Sequence, residues 1–304
     1  MMKLFSFLLL LTLNIQCDPS TTSDPVEDQQ DLAYLISTDR SGLKCWNWNE
    51  IMIPVYTWPG GTAFGDGLFV DTAFDPEGIS IVGKQVRFYI DPLIPETPEN
   101  APSSYNYRSE IHTDPWPINH PLGTEQWIGW EYTFGDNYVI DTSSPITVFQ
   151  NHPGINGLSP QIEIEIAALN DPAPAQGGEI QVVNAASSDR FVYPVKPMAG
   201  DKLEVVIHVI YGLGTDGLLQ VWLNDHLFYN KKTATVYQNQ PWGGNNKWGV
   251  YHHTFMNSTE HVSSSLNLGA GRVELFMSPL KLLTRTPDHA EYGIDAYDLV
   301  RPKD

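Results

Sequence analysis

Lysine and arginine are scarce in this 304-residue chain, 17 against 36 acidic residues, and the formal net charge is −19. A protein that neutralises phosphates along a broad face needs a basic surface, so a general nucleic-acid binder is excluded. An anionic ligand is not excluded, because a few cations gathered in one cleft override the net charge locally. Cysteine is scarcer still, with only Cys17 and Cys45. With a leader ending at Cys17, Cys45 stands alone in the folded part, so neither a disulfide framework nor a zinc–cysteine site is expected. Long helical periodicity, heptads and internal repeats are lacking. The chain is nonetheless no disordered acidic polymer: 41% of its residues are hydrophobic and 12% aromatic, including nine Trp, enough for a sizeable core.

The longest apolar run, Leu4 to Leu13, follows Lys3. It is too short for a transmembrane helix and reads as a signal peptide over residues 1–17. Cys17 is a candidate lipidation site, although Asn14-Ile15-Gln16 lacks the small residues of a lipobox, and simple secretion is the other outcome. The expected location is therefore secreted, or a periplasmic or outer-surface lipoprotein of a bacterium, with the membrane reached only through that anchor. Residues 18–35, rich in Ser, Thr, Asp and Gln, are expected to form an acidic tether.

From residue 36 to 304, short β-runs punctuated by Gly, Pro, Asn and Asp dominate. Examples are Gln85–Ile90, Gln161–Ile166, Lys202–Ile210 and Leu218–Leu223. Asp216-Gly217 is a hairpin signal. The expectation is an all-β fold: one β-jelly-roll sandwich of two antiparallel sheets whose concave face is a groove for a chain-like ligand. A monomer is expected.

Three segments carry chemistry. In Tyr107-Arg-Ser-Glu-Ile-His112, strand alternation puts Arg108, Glu110 and His112 on one face. In Ile146-Thr-Val-Phe-Gln-Asn-His152, Gln150 and His152 share a face and Phe149 opposes them. In Asn246-Lys-Trp-Gly-Val-Tyr-His-His253, Lys247, Gly249, Tyr251 and His253 share a face and Trp248 and Val250 look like core. Gly249 is taken as space for close ligand approach, and a cation near a phenol favours the phenolate. Each segment alone also fits an ordinary strand. Together they offer Arg, Gln, His, Lys and Tyr without an obvious carboxylate pair. That inventory suits β-elimination on a uronic-acid polymer, in which a carboxylate is neutralised, a base takes the C5 proton and an acid protonates the leaving oxygen.

The order Arg-x-Glu, Gln-x-His, Lys-x-Gly-x-Tyr resembles the β-jelly-roll polysaccharide lyases, the group holding alginate, glucuronan, ulvan and heparin lyases. Thr215–Asn224 also resembles the strand pair that precedes their Lys…Tyr motif, with Asp225 in place of a glycine. The resemblance implies His152 as base or as partner of the carboxylate neutraliser, and Tyr251 as acid and, for some epimers, base. It also implies Gln150 and Arg108 as carboxylate binders and Lys247 as a subsite cation. His112 stands where alginate-type members carry a second Arg, Asn151 where they carry an apolar residue, and His252-His253 where an amide is expected. His112 and His253 join the substrate-binding candidates, and ulvan or glucuronan becomes at least as good a substrate as alginate. The expected reaction is endo-acting and leaves 4,5-unsaturated uronate ends. No cofactor is required, and a structural Ca²⁺ in an Asp-rich loop is compatible but not placed by the sequence.

Two other classes remain open at this level. One is a non-catalytic surface glycan-binding lipoprotein using Trp platforms. The other is a sandwich glycoside hydrolase built on Glu163 and Glu165, which share a face but lack the third acid of the Glu-x-Asp-x-x-Glu pattern. Lys231 and Lys232 are expected as solvated turn residues, with an outer anion subsite as the alternative.

Overall fold

The computed structural model describes residues 42–48, 62–65, 67–71, 78–93, 107–113, 120–154, 157–169, 175–255 and 259–302. The leader, Cys17 and the tether lie outside them. Residues 39–304 form one compact unit, a β-jelly roll of two antiparallel sheets.

The first sheet has nine strands. It contains β1 (Leu43–Trp46), β4 (Ile79–Val82), β5 (Gln85–Ile90), β7 (Glu125–Phe134), β12 (Lys202–Ile210), β13 (Leu218–Leu223), β14 (His226–Lys232), β16 (Val273–Met277) and β17 (Leu280–Arg285). The second has eight, in the order β11-β10-β9-β8-β15-β6-β3-β2. These are β2 (Thr62–Gly65), β3 (Leu68–Asp71), β6 (Arg108–Thr113), β8 (Ile146–His152), β9 (Ile162–Ile166), β10 (Ile180–Asn184), β11 (Asp189–Tyr193) and β15 (Asn245–Tyr251). A nine-residue helix follows at Thr259–Asn267. Among the described residues no helix is long and apolar enough to cross a membrane.

The strands form where apolar residues alternate, and the apolar sets meet between the sheets. Trp130, Phe149 and Trp248 are fully buried there, with Trp130 to Phe149 at 5.1 Å and Trp130 edge-on to Trp248 at 6.2 Å between ring centroids. This aromatic cluster supports β8 and β15 from beneath.

Both of those strands are irregular in the same place. Trp248 opposes Phe149 and Tyr251 opposes Thr147, so Gly249 and Val250 together face the single residue Val148, a β-bulge. A second register shift between β8 and β9 falls at Val148 as well. Tyr132, on β7 of the opposite sheet, supplies partners for both backbones. Its hydroxyl donates to the Val148 carbonyl at 2.7 Å and accepts the Gly249 N–H at 2.9 Å. Burial pushes the Tyr132 phenol well above its usual range, so the hydroxyl keeps its proton and can both donate and accept.

One local expectation is refined and two are corrected. The hairpin signalled by Asp216-Gly217 is present, since β12 pairs antiparallel with β13, but the two residues close a longer connection in which Asp216 Oδ1 accepts the Gly214 N–H at 2.8 Å. The tight turn is Asn224-Asp225, with φ of 50° and 62°; Asn and Asp tolerate the left-handed region that a two-residue hairpin needs. Lys231 lies on strand β14 and not in a turn, bonded to Asp189 Oδ1 at 2.9 Å and stacked over Phe191. Cys45 is disulfide-bonded and not a lone thiol; the sequence's other cysteine, Cys17, lies outside the described residues.

Candidate active site

The eight-stranded sheet brings the three motif strands together side by side, with β15 between β8 and β6. Lys247 is opposite His112 on one side and Gln150 on the other; Tyr251 is opposite Arg108 and Gly249 opposite Glu110; Asn245 is opposite His152. Residues directly across a ladder share a face, so Arg108, Glu110, His112, Lys247, Tyr251, Gln150 and His152 occupy one face. The alternate residues Ile111, Phe149, Trp248 and Val250 are core, as alternation predicts. The bulge flips the parity of β8, so Thr147 stands on the same face as Gln150.

The floor of this face is deep. Glu110 is 1%, Gln150 2% and Lys247 4% exposed, whereas Arg108, His152 and Tyr251 are half-buried. Their contacts link the strands. The Arg108 guanidinium lies over the Tyr251 ring at 4.3 Å, and its Nη1 is 3.5 Å from Glu110 Oε2. Gln150 Nε2 donates to Glu110 Oε1 at 2.6 Å. His112 stacks on Phe69 at 5.6 Å, and its Nδ1 lies 3.4 Å from Asn245 Nδ2. Glu110 is the residue that sequence reasoning passed over as a site member. Its signal was the alternation Arg-x-Glu-x-His, which places a carboxylate between Arg108 and His112 on the same face.

His152 and Tyr251 sit at opposite ends of the motif. Their positions differ by six residues of β15, ~20 Å of strand at about 3.3 Å per residue. Burial, then the Lys247 and Arg108 charges, pull the His152 pKa down to about 3, so its ring is neutral near neutrality. Gly154 N–H donates to its Nδ1 at 3.2 Å.

Two expectations about β15 are corrected. Gly249 does not open space for a ligand. Its φ is +137°, and an added Cβ would meet the Ser109 carbonyl oxygen at 2.1 Å, Glu110 Cα at 2.9 Å and Phe88 Cδ1 at 3.0 Å, so the glycine serves the bulge and the close approach of β6. His253 is not on the strand, because β15 ends at Tyr251 and His253–Phe255 is a 3₁₀ turn. Its exposed ring still lies 6.0 Å from Tyr251. His252 points inward, stacked on Phe255 at 4.1 Å.

Asn151 now has a reason. It pairs in register with Asn246 on the inner face, where its Nδ2 donates to Asn246 Oδ1 at 2.8 Å and to Tyr211 Oη at 2.9 Å. Asn246 Nδ2 and Tyr211 Oη both donate to Gln126 Oε1, at 3.0 and 2.7 Å. The apolar residue of the alginate-type pattern is replaced by one half of a polar pair that ties β8 and β15 to β7.

Further along the same face, Glu165 is held by Arg190 at 2.9 Å and Gln181 at 2.5 Å. Glu165 is thus neutralised as an ion pair, which does not suit one of two hydrolytic acids. Among the described side chains of this face, Arg108, Lys247 and Arg190 balance Glu110, Glu163 and Glu165, so the face is close to neutral within a strongly acidic chain. No group of three or more His, Cys, Asp or Glu among the described residues is arranged to hold a metal ion.

A family model described as polysaccharide lyase matches residues 80–266, more than half of the chain and all three motif strands. The chain belongs to this polysaccharide lyase family. The lyase is also similar to an endo-β-1,4-glucuronan lyase from the fungus Trichoderma reesei, at 14% identity over 83% of this chain and 100% of that one, with a TM-score of 0.46. The alginate lyase Aly36B is 12% identical over 82% of the lyase and 99% of its own chain, TM-score 0.48. The family-7 alginate lyase A1-II′ is 16% identical over 73% and 85%, TM-score 0.45. No curated protein sequence matches the lyase.

Two histidines, His252 buried and His152 half-buried, give the lyase a pH signature. Burial, with His253 adding to it against Asp141, pulls His252 down to about 4, and His152 lies at about 3. Unfolded histidines take up protons as pH falls through about 6.5, but these two in the fold do not. The unfolded chain therefore binds more protons in this window, and stability falls with pH by about 1.4 kcal/mol per unit for each such ring. The melting temperature is expected to drop between pH 6.5 and 5, above the carboxylate range, and His152→Gln is expected to shallow the slope. A flat profile would show that both rings titrate normally.

Proposed function

We propose that this lyase cuts a uronate-containing anionic polysaccharide of the ulvan, glucuronan or alginate type, within the chain, by β-elimination. The products carry 4,5-unsaturated uronate ends. The observation that carries this is the convergence of Arg108, Gln150 and Lys247 on one groove face beside Tyr251. Two cations and an amide answer the main electrostatic demand of the reaction, since removing the C5 proton next to a carboxylate builds an enolate-like dianion. An eight-stranded face, ~34 Å wide at about 4.8 Å per strand, suits the interior of a polymer better than its end.

Tyr251 is the group we assign to both proton transfers. The C5–H and the glycosidic oxygen on C4 belong to neighbouring atoms, and one phenol over them in a syn arrangement removes the first proton and delivers it to the second. His152, whose ring burial and the Lys247 and Arg108 charges keep neutral with a pKa pulled down to about 3, is a weak base and fits a hydrogen-bonding role toward substrate better than that of the base. Arg108 and Gln150 bind the carboxylate of the sugar being cleaved, Lys247 supplies a cation deeper in the groove, and His112 and His253 contact flanking sugars.

The proposal is tested by incubating purified protein with ulvan, glucuronan, alginate and heparin and following the ultraviolet absorbance of the new C4–C5 double bond. Absorbance rising as viscosity falls early supports internal β-elimination; retention of these polymers without absorbance would instead favour a glycan-binding role. We also propose export, on the basic start at Lys3 and the short apolar run Leu4 to Leu13 that follows it. The mature protein is either free or anchored through a lipid on Cys17. Intact mass of the mature protein separates the two, since a diacylglyceryl group on Cys17 marks the anchored form, and a full-length mass with the leader retained would overturn export.

A further inference from the structure

We infer that Glu110 is a positioning residue that decides which end of the Gln150 amide meets the substrate. The inference rests on the proposal that Gln150 binds the uronate carboxylate.

A fully buried carboxylate is an unexpected occupant of a site for anions. Glu110 sits in the middle of β6, opposite Gly249, with Arg108 two residues before it and His112 two residues after, all on the groove face. Its negative charge would repel an anionic polymer, so direct contact with substrate is not its role. What it does touch are the two groups assigned to the substrate carboxylate, which come from two different strands. Oε1 accepts from Gln150 Nε2 at 2.6 Å, and Oε2 lies 3.5 Å from Arg108 Nη1.

The Gln150 contact is directional. A carboxamide has an acceptor end and a donor end of nearly the same shape, and the surroundings alone decide between them. Two oxygen acceptors do not sit 2.6 Å apart, so the Glu110 carboxylate draws the amide nitrogen toward itself. That nitrogen carries two hydrogens, and this bond uses one. The other stays on the nitrogen as a donor for the groove. Without the carboxylate the amide is free to turn over, and its oxygen then faces an incoming uronate as a repelling acceptor. On the other side, the same carboxylate steadies the Arg108 guanidinium, which also lies over the Tyr251 ring at 4.3 Å. One buried group thus orients both a neutral and a cationic donor.

The test uses Glu110→Gln, Gln150→Leu and the double variant, assayed on whichever polymer of the panel is cleaved fastest. Glu110→Gln keeps the shape but no longer dictates the amide orientation. It is expected to melt within a few degrees of the parent and to lose about 10–100-fold in kcat/KM, with KM raised. Because Glu110 acts through Gln150 and, more weakly, through Arg108, the same change in the Gln150→Leu background is expected to cost several-fold less than it does in the parent. Glu110→Asp, one methylene short of Gln150, is expected not to rescue. If Glu110→Gln melts early, Glu110→Asp carries the comparison, since it keeps the charge and loses only the reach. Parent-like kcat/KM in the folded variant, or losses that multiply in the double variant, overturns the positioning role. A Gln150→Leu variant with unchanged kcat/KM fails differently, by removing the proposal for Gln150 itself.

Discussion

Tyr251→Phe is expected to lower kcat by about 10²–10⁴-fold, the range for loss of a general acid–base group, while KM changes little. The substitution removes one oxygen and leaves the ring, so the stacking of Arg108 on it at 4.3 Å is retained. Tyr251 is half-buried at the end of β15, opposite Arg108 and Thr147, and its backbone pairing does not depend on the hydroxyl. A melting temperature near that of the parent is therefore expected, which separates lost chemistry from lost fold. His152→Gln provides the contrast. If Tyr251 performs both proton transfers, His152→Gln falls by about tenfold or less, mainly through KM. Were the two variants equally inactive in kcat, the assignment of both transfers to Tyr251 would be wrong, and His152 would return as the base.

Gly249→Ala is expected to destabilise the fold by more than about 3 kcal/mol, placing it among the large single-site losses. Two independent costs add. The backbone at φ +137° lies in the left-handed region, which carries a strain of order 1–3 kcal/mol for a residue with a Cβ. The new methyl would also sit 2.1 Å from the Ser109 carbonyl oxygen, which is backbone and cannot rotate away. Relief requires β15 to move from β6, and that breaks the Gly249 N–H bond to Tyr132 and shifts Arg108, Glu110 and Tyr251 relative to one another. Chemical denaturation reads the loss directly. A stability within 1 kcal/mol of the parent would mean that the bulge at Gly249 is not as described.

Much of the site was legible because a strand has a period of two. Alternation alone separated Arg108, Glu110 and His112 from Ile111, and Lys247 and Tyr251 from Trp248 and Val250, and the register of β15 on β6 keeps those two sets on opposite faces. What alternation cannot see is an extra residue. The bulge between β15 and β8 turns Gly249 from a presumed opening into a packing requirement, and it brings Thr147 onto the ligand face. The same limit applied to turns. Asp216-Gly217 has the composition of a hairpin tip, yet Asn224-Asp225 takes the two positive φ values. Composition marks where a chain can turn, whereas the register of β13 on β14 decides where it does.

By itself the sequence determined the strand-rich class, the faces of the three motif strands and the chemical inventory of a groove. It also set the contrast between an acidic chain and a few cations, since 17 Lys and Arg in 304 residues leave few to place. Only the tertiary structure decided that β15 lies between β8 and β6, because pairing strands separated by about a hundred residues is a non-local event that no short-range signal encodes. From that adjacency follow the partners of Lys247 on both sides, the separation of His152 from Tyr251 along the strand, and the burial of Glu110 between Gln150 and Arg108. A periodic pattern states which way a side chain points. Which side chain it meets is set by the register of strands that come from distant parts of the chain.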